Sequence, residues 1–312
     1  MRLVFLGTPN FAVPTLEAVA RAGHDVCTVV SQPDRPRGRG QVTVASPVKQ
    51  AALKLGIPVF QPERIRGAEA QAALAALGVE VMVVVGYGQI IPQAVIDLAP
   101  RGILNVHASL LPKYRGAAPI QWAIANGEAR TGVTTMQINA GLDTGDILLQ
   151  AETAIAGEET AVELSERLAP LGAELLVETL AGLARGTIVP RKQDDALATY
   201  APILKKEDGR IDWSGPASRI HNQIRGLLPW PGAYTTLRGQ LLHIWRARVA
   251  SETTARSPGH ILAETPVRVA AGDGSVLELI ETQLEGRKKM PAEVFARGQR
   301  LNENDILGEA RT

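Results

Sequence analysis

Short apolar runs alternate with stretches of helical spacing along the first half of the chain. Residues 3–6 form one such run, ended by Gly7, and helical spacing follows over 12–22. Pro14 falls early in that helix, where a missing amide proton costs little. A β-rich run covers 25–30. Ser46-Pro47 reads as the N-cap and first residue of a helix that stops at Gly56. Residues 57–60 predict a strand and the Ala-rich 68–77 a helix. The strongest strand signal is Val81-Met82-Val83-Val84-Val85, apolar at every position. Such a run suits a central parallel strand covered on both faces, where period-2 alternation is lost. Further strands are expected over 103–107, 131–138 and 146–150, before a long helix over 160–184. The alternation argues for an α/β architecture, a Rossmann-like doubly wound parallel sheet.

After about Val189 the pattern changes. Residues 190–210 are polar, carry two prolines and read as a linker. A short helix near 217–225 and a W-P-G-A-Y turn come next. Short β-like runs follow at 235–237, 241–250, 266–270 and 276–283, separated by turns such as Arg238-Gly239 and Gly272-Asp273-Gly274. Many short strands with glycine turns suggest a small barrel. The expected division is a first domain over 1–189, a linker over 190–208 and a barrel domain over 209–312.

Composition narrows the classes. A length of 312 residues fits two domains, and 45% hydrophobic content can fill their cores. With 33 basic and 32 acidic residues there is no bulk charge to attract a polyanion. The balance is 15 basic to 17 acidic through residue 190, and 18 to 15 beyond it. This mild asymmetry permits an anionic partner for the second domain. The single cysteine, Cys27, rules out an internal disulfide framework and a cysteine-cluster metal site. No apolar run approaches the roughly 20 residues that span a bilayer. The apolar start is too short for a signal-peptide core. The expectation is a soluble chain of a reducing compartment, the cytoplasm.

A Rossmann-like opening invites a dinucleotide. Gly7-Thr8-Pro9-Asn10-Phe11-Ala12 is not G-x-G-x-x-G, however, and lacks the second glycine that admits a pyrophosphate. The informative stretch is 105–146. Asn105 and His107 lie two apart at the end of a predicted strand, so they share a face, at the strand end where open α/β sheets bind ligands. Asp143 sits in a glycine-flanked loop, 141–145. An amide donor, an imidazole and a carboxylate suit acyl transfer to an amine without a covalent intermediate. Read one by one, a histidine beside a strand is commonly structural, and Asn105 and Asp143 could be ordinary turn and loop residues. Spacing alone leaves both readings open.

N-V-H-A-S-L-L-P-K-Y-R-G-A-A-P, with G-L-D-T-G-D-I-L downstream, resembles the signature of the folate-dependent formyltransferases. The resemblance implies transfer of a formyl group from 10-formyltetrahydrofolate to an amine. It places the family's catalytic triad on Asn105, His107 and Asp143. It also implies a backbone-lined folate pocket at 85–90, with Gly86, Tyr87, Gly88 and Ile90, and at Ser109, Leu110, Leu111 and Pro112. Glycines at 86 and 88 would let the backbone approach a flat pterin ring. No metal is implied.

Among the branches of that family, the glycinamide-ribonucleotide enzymes lack a second domain, and sugar-nucleotide enzymes can carry a similar tail. The chain resembles the methionyl-tRNA branch along almost its whole length, through F-L-G-T-P-N-F-A-V-P-T-L, S-Q-P-D-R-P-R-G-R-G-Q, Y-A-P-I-L-K-K-E-D-G-R-I-D-W and P-W-P-G-A-Y. That resemblance implies an OB-like barrel and methionyl initiator tRNA as partner, with formylmethionyl-tRNA for translation initiation as product. It makes Arg35, Arg37 and Arg39, on the glycine-bearing segment 32–46, candidates for reading the acceptor stem. Lys206, Arg246, Arg287 and Lys288 are candidate phosphate contacts, and the chain is expected to act as a monomer. Gln41, Val42, Ile203 and Leu228 depart from the branch's usual residues, which bears on individual tRNA contacts and leaves the transfer chemistry alone. Trp122, Trp213, Trp230 and Trp245 are expected to pack rather than to stack on bases.

Overall fold

The computed structural model describes residues 1–37 and 42–309, with only the backbone of Arg37 and Val42. The chain divides into two compact units. One comprises Met1–Gly116, Arg130–Ala154 and Ser165–Ala201; the other comprises Ala117–Ala129, Ile155–Leu164 and Pro202–Thr312.

The first unit is built on a seven-stranded sheet. Its order is Ile147–Ala154, Arg130–Gln137, Ile103–His107, Val81–Val85, Arg2–Gly7, Asp25–Val30 and Val59–Phe60. The last five strands run parallel to one another, as the β/α alternation implies. Arg130–Gln137 lies antiparallel to Ile103–His107, and Ile147–Ala154 antiparallel to Arg130–Gln137. The loop between Arg130–Gln137 and Ile147–Ala154 is too short for a parallel crossover, which needs a dozen residues or more. Val81–Val85 is buried at every position, matching its uniformly apolar sequence. The chain builds outward from Arg2–Gly7 in one direction, then returns to add Val81–Val85 on its other side. The crevice between Gly7 and Val85 is therefore the topological switch point, where such sheets bind ligands.

Local signals explain several elements. Ser46 caps the helix Pro47–Lys54, its hydroxyl accepting from the Lys49 amide at 3.1 Å. Within the glycine-bearing segment 32–46, where the sequence predicts no strand, Arg35–Arg37 and Val42–Val44 pair as the two antiparallel strands of a hairpin. Val42-Thr43-Val44 is β-branched throughout, which favours a strand.

The second unit carries an antiparallel sheet in the order Ala233–Leu237, Gln240–Thr253, Ser275–Leu284, Val267–Ala270 and Ile261–Glu264, with Met290–Pro291 also paired to Ser275–Leu284. Near the C-terminus, Leu307 bridges Leu237 and Ile306 bridges His260. This short segment thus bonds beside both edges of the sheet. Ala217–Gly226 and Ala292–Gln299 are its principal helices, and Ile220, Ile224, Phe295 and Ala296 are buried in its core. Trp213 is buried there and donates to the Thr235 hydroxyl. Trp245 is half-buried, stacked on His243. Trp122 packs beside Ala118, Leu204 and Leu227. Trp230 departs from the packing expectation, being exposed. Its neighbours Pro229, Pro231 and Gly232 form a turn, which supplies few side chains to cover an indole.

Candidate active site

The register Val84↔Asn105 sets two strand ends side by side. The turn after Val85 and the loop after His107 therefore open at the same edge of the sheet, next to the switch point. His107 is buried, 6% exposed, and Asn105 is half-buried two residues earlier. Strand alternation puts both side chains on one face. The Asn105 amide makes no hydrogen bond to other described residues, whereas His107 is held firmly. Its Nε2 lies 2.9 Å from the Tyr114 carbonyl oxygen. A carbonyl only accepts, so Nε2 carries the hydrogen, and a neutral ring keeps its lone pair on Nδ1. Nδ1 faces Asp143 Oδ2 at 3.7 Å. The structure thus brings His107 and Asp143 together across 36 residues of sequence.

Asp143 owes its place to backbone geometry and to a donor. Its φ is +52°, a left-handed conformation that aspartate tolerates better than most residues. The Gly116 amide donates to Asp143 Oδ2 at 2.8 Å. Gly145 is required on steric grounds, since a Cβ there would be driven into the Gln137 carbonyl. Two residues that the sequence reading did not single out also hold this loop. Gln193 Nε2 donates to the Asp143 and Gly145 carbonyls at 2.8 and 2.7 Å. Arg115, buried, donates through Nε and Nη2 to Gln193 Oε1 at 3.0 and 2.8 Å. Arg115 lies inside the K-Y-R-G stretch, where a cation amid apolar residues could have signalled it. Gln193 sits in the polar linker and carries no such signal.

The candidate folate segments flank this pair. Gly86 and Gly88 take φ of +58° and +85° and are exposed, so the backbone lies open at the switch point. The Tyr87 carbonyl accepts from Thr8 Oγ1 and Gln32 Nε2. The Tyr87 side chain itself is buried in the core, and burial pushes its hydroxyl pKa up to about 12. Only the backbone of Tyr87 can therefore serve a ligand. Ile90 is 93% exposed. Ser109 is buried, with its hydroxyl on the Lys113 carbonyl at 2.6 Å. Thr134 Oγ1 donates to the Ser109 carbonyl and accepts from the Leu111 amide, so residues 109–111 are tied to the neighbouring strand. Leu111 is buried, while Leu110 and Pro112 are half-buried.

The candidate RNA contacts fall in both units. Arg35 is exposed at the foot of the hairpin, Arg37 lies on its strand, and Arg39 falls outside the described residues. That foot is anchored by Asp34, which accepts from Lys49 Nζ at 2.5 Å and from Gln61 Nε2 at 2.8 Å. In the second unit Lys206, Arg246, Arg287 and Lys288 are all exposed. Among the described residues no cluster of His, Cys, Asp or Glu could hold a metal ion, and no helix is long and apolar enough to cross a membrane.

The sequence profile described as "Formyl transferase" matches residues 1–180, and that of "Formyl transferase, C-terminal domain" matches 203–300. The chain belongs to the formyl transferase family. A methionyl-tRNA formyltransferase from Solibacter usitatus is 67% identical over 99% of both chains. Another of the same name, from Koribacter versatilis, is 59% identical over 99% of both. The crystal structure of an N-formyltransferase from Helicobacter canadensis, in complex with folinic acid and dTDP-3-aminofucose, shares the fold. It has a TM-score of 0.68 at 21% identity, covering 89% of this chain and 98% of that one. Family membership makes the chain a formyl-transferring enzyme, with formyltetrahydrofolate as donor.

Proposed function

We propose that this chain transfers the formyl group of 10-formyltetrahydrofolate to the α-amine of methionyl initiator tRNA, using Asn105, His107 and Asp143. The observation that carries the chemistry is the fixed tautomer of His107. Tyr114 takes the Nε2 hydrogen, leaving the Nδ1 lone pair turned toward Asp143. An α-amino group has an ordinary pKa of about 8, so a neutral fraction exists near pH 7 to attack the formyl carbon. Asn105, whose amide has no partner among the described residues, donates to the oxygen on which negative charge develops. His107 accepts the proton that the amine must lose and returns it to N10 of the folate as the bond from that nitrogen to the formyl carbon breaks, releasing tetrahydrofolate, while Asp143 faces the imidazolium that exists in between. The exposed backbone at Gly86 and Gly88, with the apolar Ile90 and the tied segment 109–112, fits a flat ring carrying the donor.

Residues 1–189 hold the transfer site in this reading, 190–208 form the linker, and 209–312 serve the RNA. Arg35, Arg37 and Arg39 engage the acceptor stem, and Lys206, Arg246, Arg287 and Lys288 neutralise phosphates. One chain carries sites for donor and acceptor alike, so the enzyme works as a monomer, in the cytoplasm. The test is formyl transfer to initiator methionyl-tRNA, to elongator methionyl-tRNA and to a UDP-aminosugar in parallel. Strong preference for the initiator supports the full reading. Preference for the aminosugar would overturn the acceptor, and indifference between the two tRNAs would overturn the initiator specificity.

A further inference from the structure

We propose that Arg115 and Gln193 form a positioning device for the catalytic loop, setting where Asp143 stands against His107. This rests on the catalytic roles proposed for those last two residues. A guanidinium only donates. With Nε and Nη2 of Arg115 both on Gln193 Oε1, at 3.0 and 2.8 Å, the Gln193 amide has one permitted orientation. Its NH2 must point the other way, onto the carbonyls of Asp143 and Gly145. One side chain thereby staples the loop at both ends of the stretch 143–145. The left-handed backbone at Asp143 and the tight approach of Gly145 to Gln137 are what it holds.

Arg115 acts on Asp143 by a second route. It directly precedes Gly116, whose amide donates to Asp143 Oδ2, and its own backbone pairs with the segment that carries Gln193. The Arg115 amide donates to the Thr199 carbonyl, and Tyr200–Ala201 runs parallel to Arg115–Gly116. Further along the same segment, Arg191 bridges Ile147, just past the loop. Carboxylate and carbonyl of Asp143 are thus referred to a single buried cation. The other acceptor of that cation, Asp195 at 2.8 Å, has a side chain 81% exposed, where an ion pair contributes little. Burying a guanidinium is costly unless its hydrogen bonds are met, and here two of them go to the amide that fixes the loop.

The decisive variant is Gln193→Glu. It preserves length and the acceptor facing Arg115, and it sets a carboxylate oxygen against two carbonyls in place of the NH2. Gln193→Met, which removes both polar ends, serves if the first fails to fold. A misplacement of this size lowers kcat per folded enzyme by about tenfold to a hundredfold, with KM for both substrates nearly unchanged. A second readout needs no substrate. The Gly116 amide proton, bonded to Asp143 Oδ2, shifts its NMR signal and exchanges faster in either variant. Wild-type kcat together with an unmoved Gly116 amide would overturn the proposal. So would a kcat loss that merely follows a loss of folded protein. A moved Gly116 amide in a chain whose wild type transfers no formyl group would uphold the positioning and overturn the functional reading instead.

Discussion

His107 Nδ1 stands 3.7 Å from Asp143 Oδ2, while the opposite ring nitrogen is committed to the Tyr114 carbonyl. The separation exceeds a hydrogen bond, and the contact is attractive whenever Nδ1 carries a proton. Asp143→Asn keeps an oxygen for the Gly116 amide and removes the charge facing His107. We expect kcat to fall on the order of 10²-fold with KM little changed. Steady-state kinetics with saturating donor check this, and an unchanged kcat would remove Asp143 from the chemistry.

The hairpin arginines predict a salt signature. Removing a cation that neutralises one phosphate reduces the slope of log affinity against log salt by about 1. Arg35→Ala is expected to raise KM for methionyl-tRNA and flatten that slope by about one, leaving turnover at saturating tRNA intact. Titration of KM across potassium chloride concentrations measures it. An unaltered slope would make Arg35 an ordinary solvated residue.

Asp34 predicts how acid acts on the same hairpin. Hydrogen bonds from Lys49, foremost, and from Gln61 hold its carboxyl below the ordinary 3.8. A depressed carboxylate contributes stability that is complete above the unfolded value and lost as pH falls through the folded one. Asp34→Asn should therefore lower stability at pH 7 and narrow the gap to wild type as pH drops below about 4. Thermal melts from pH 7 to pH 3 follow that gap, and a gap constant with pH would refute the assignment.

Gly145→Ala places a methyl group against the Gln137 carbonyl. Relief requires the loop to move, which costs about 1–3 kcal/mol and displaces Asp143. The expected result is a lower unfolding midpoint in urea with an unchanged m-value, and a loss of turnover larger than the loss of folded protein. Wild-type stability would mean the loop has room that the structure denies it.

Much of the catalytic unit was legible because its strands are buried on both faces. Val81–Val85 and Ile103–His107 occupy the residues that their apolar runs predict, and the Ser46 cap is visible as a dipeptide. The antiparallel direction of Arg130–Gln137 was not legible, since the residue pattern of a strand carries no direction. The strand Ile261–Glu264 and the helix Ala292–Gln299 were missed because short, half-buried elements of four and eight residues leave mixed patterns. Spacing put Asn105 and His107 on one strand face and left their role open; the resemblance named them together with Asp143. The tautomer of His107 could not be read, because it depends on a carbonyl placed by the backbone at Tyr114. Nor could the role of Gln193, whose partners lie about 50 residues away.

The most direct measurement is single-turnover formyl transfer from 10-formyltetrahydrofolate to initiator methionyl-tRNA by wild type, Asn105→Ala and His107→Ala. Loss of one oxyanion donor typically lowers turnover by about 10²–10³-fold. The account predicts that both variants fall at least that far while keeping the wild-type melting profile. Near-wild-type transfer by either folded variant would contradict it.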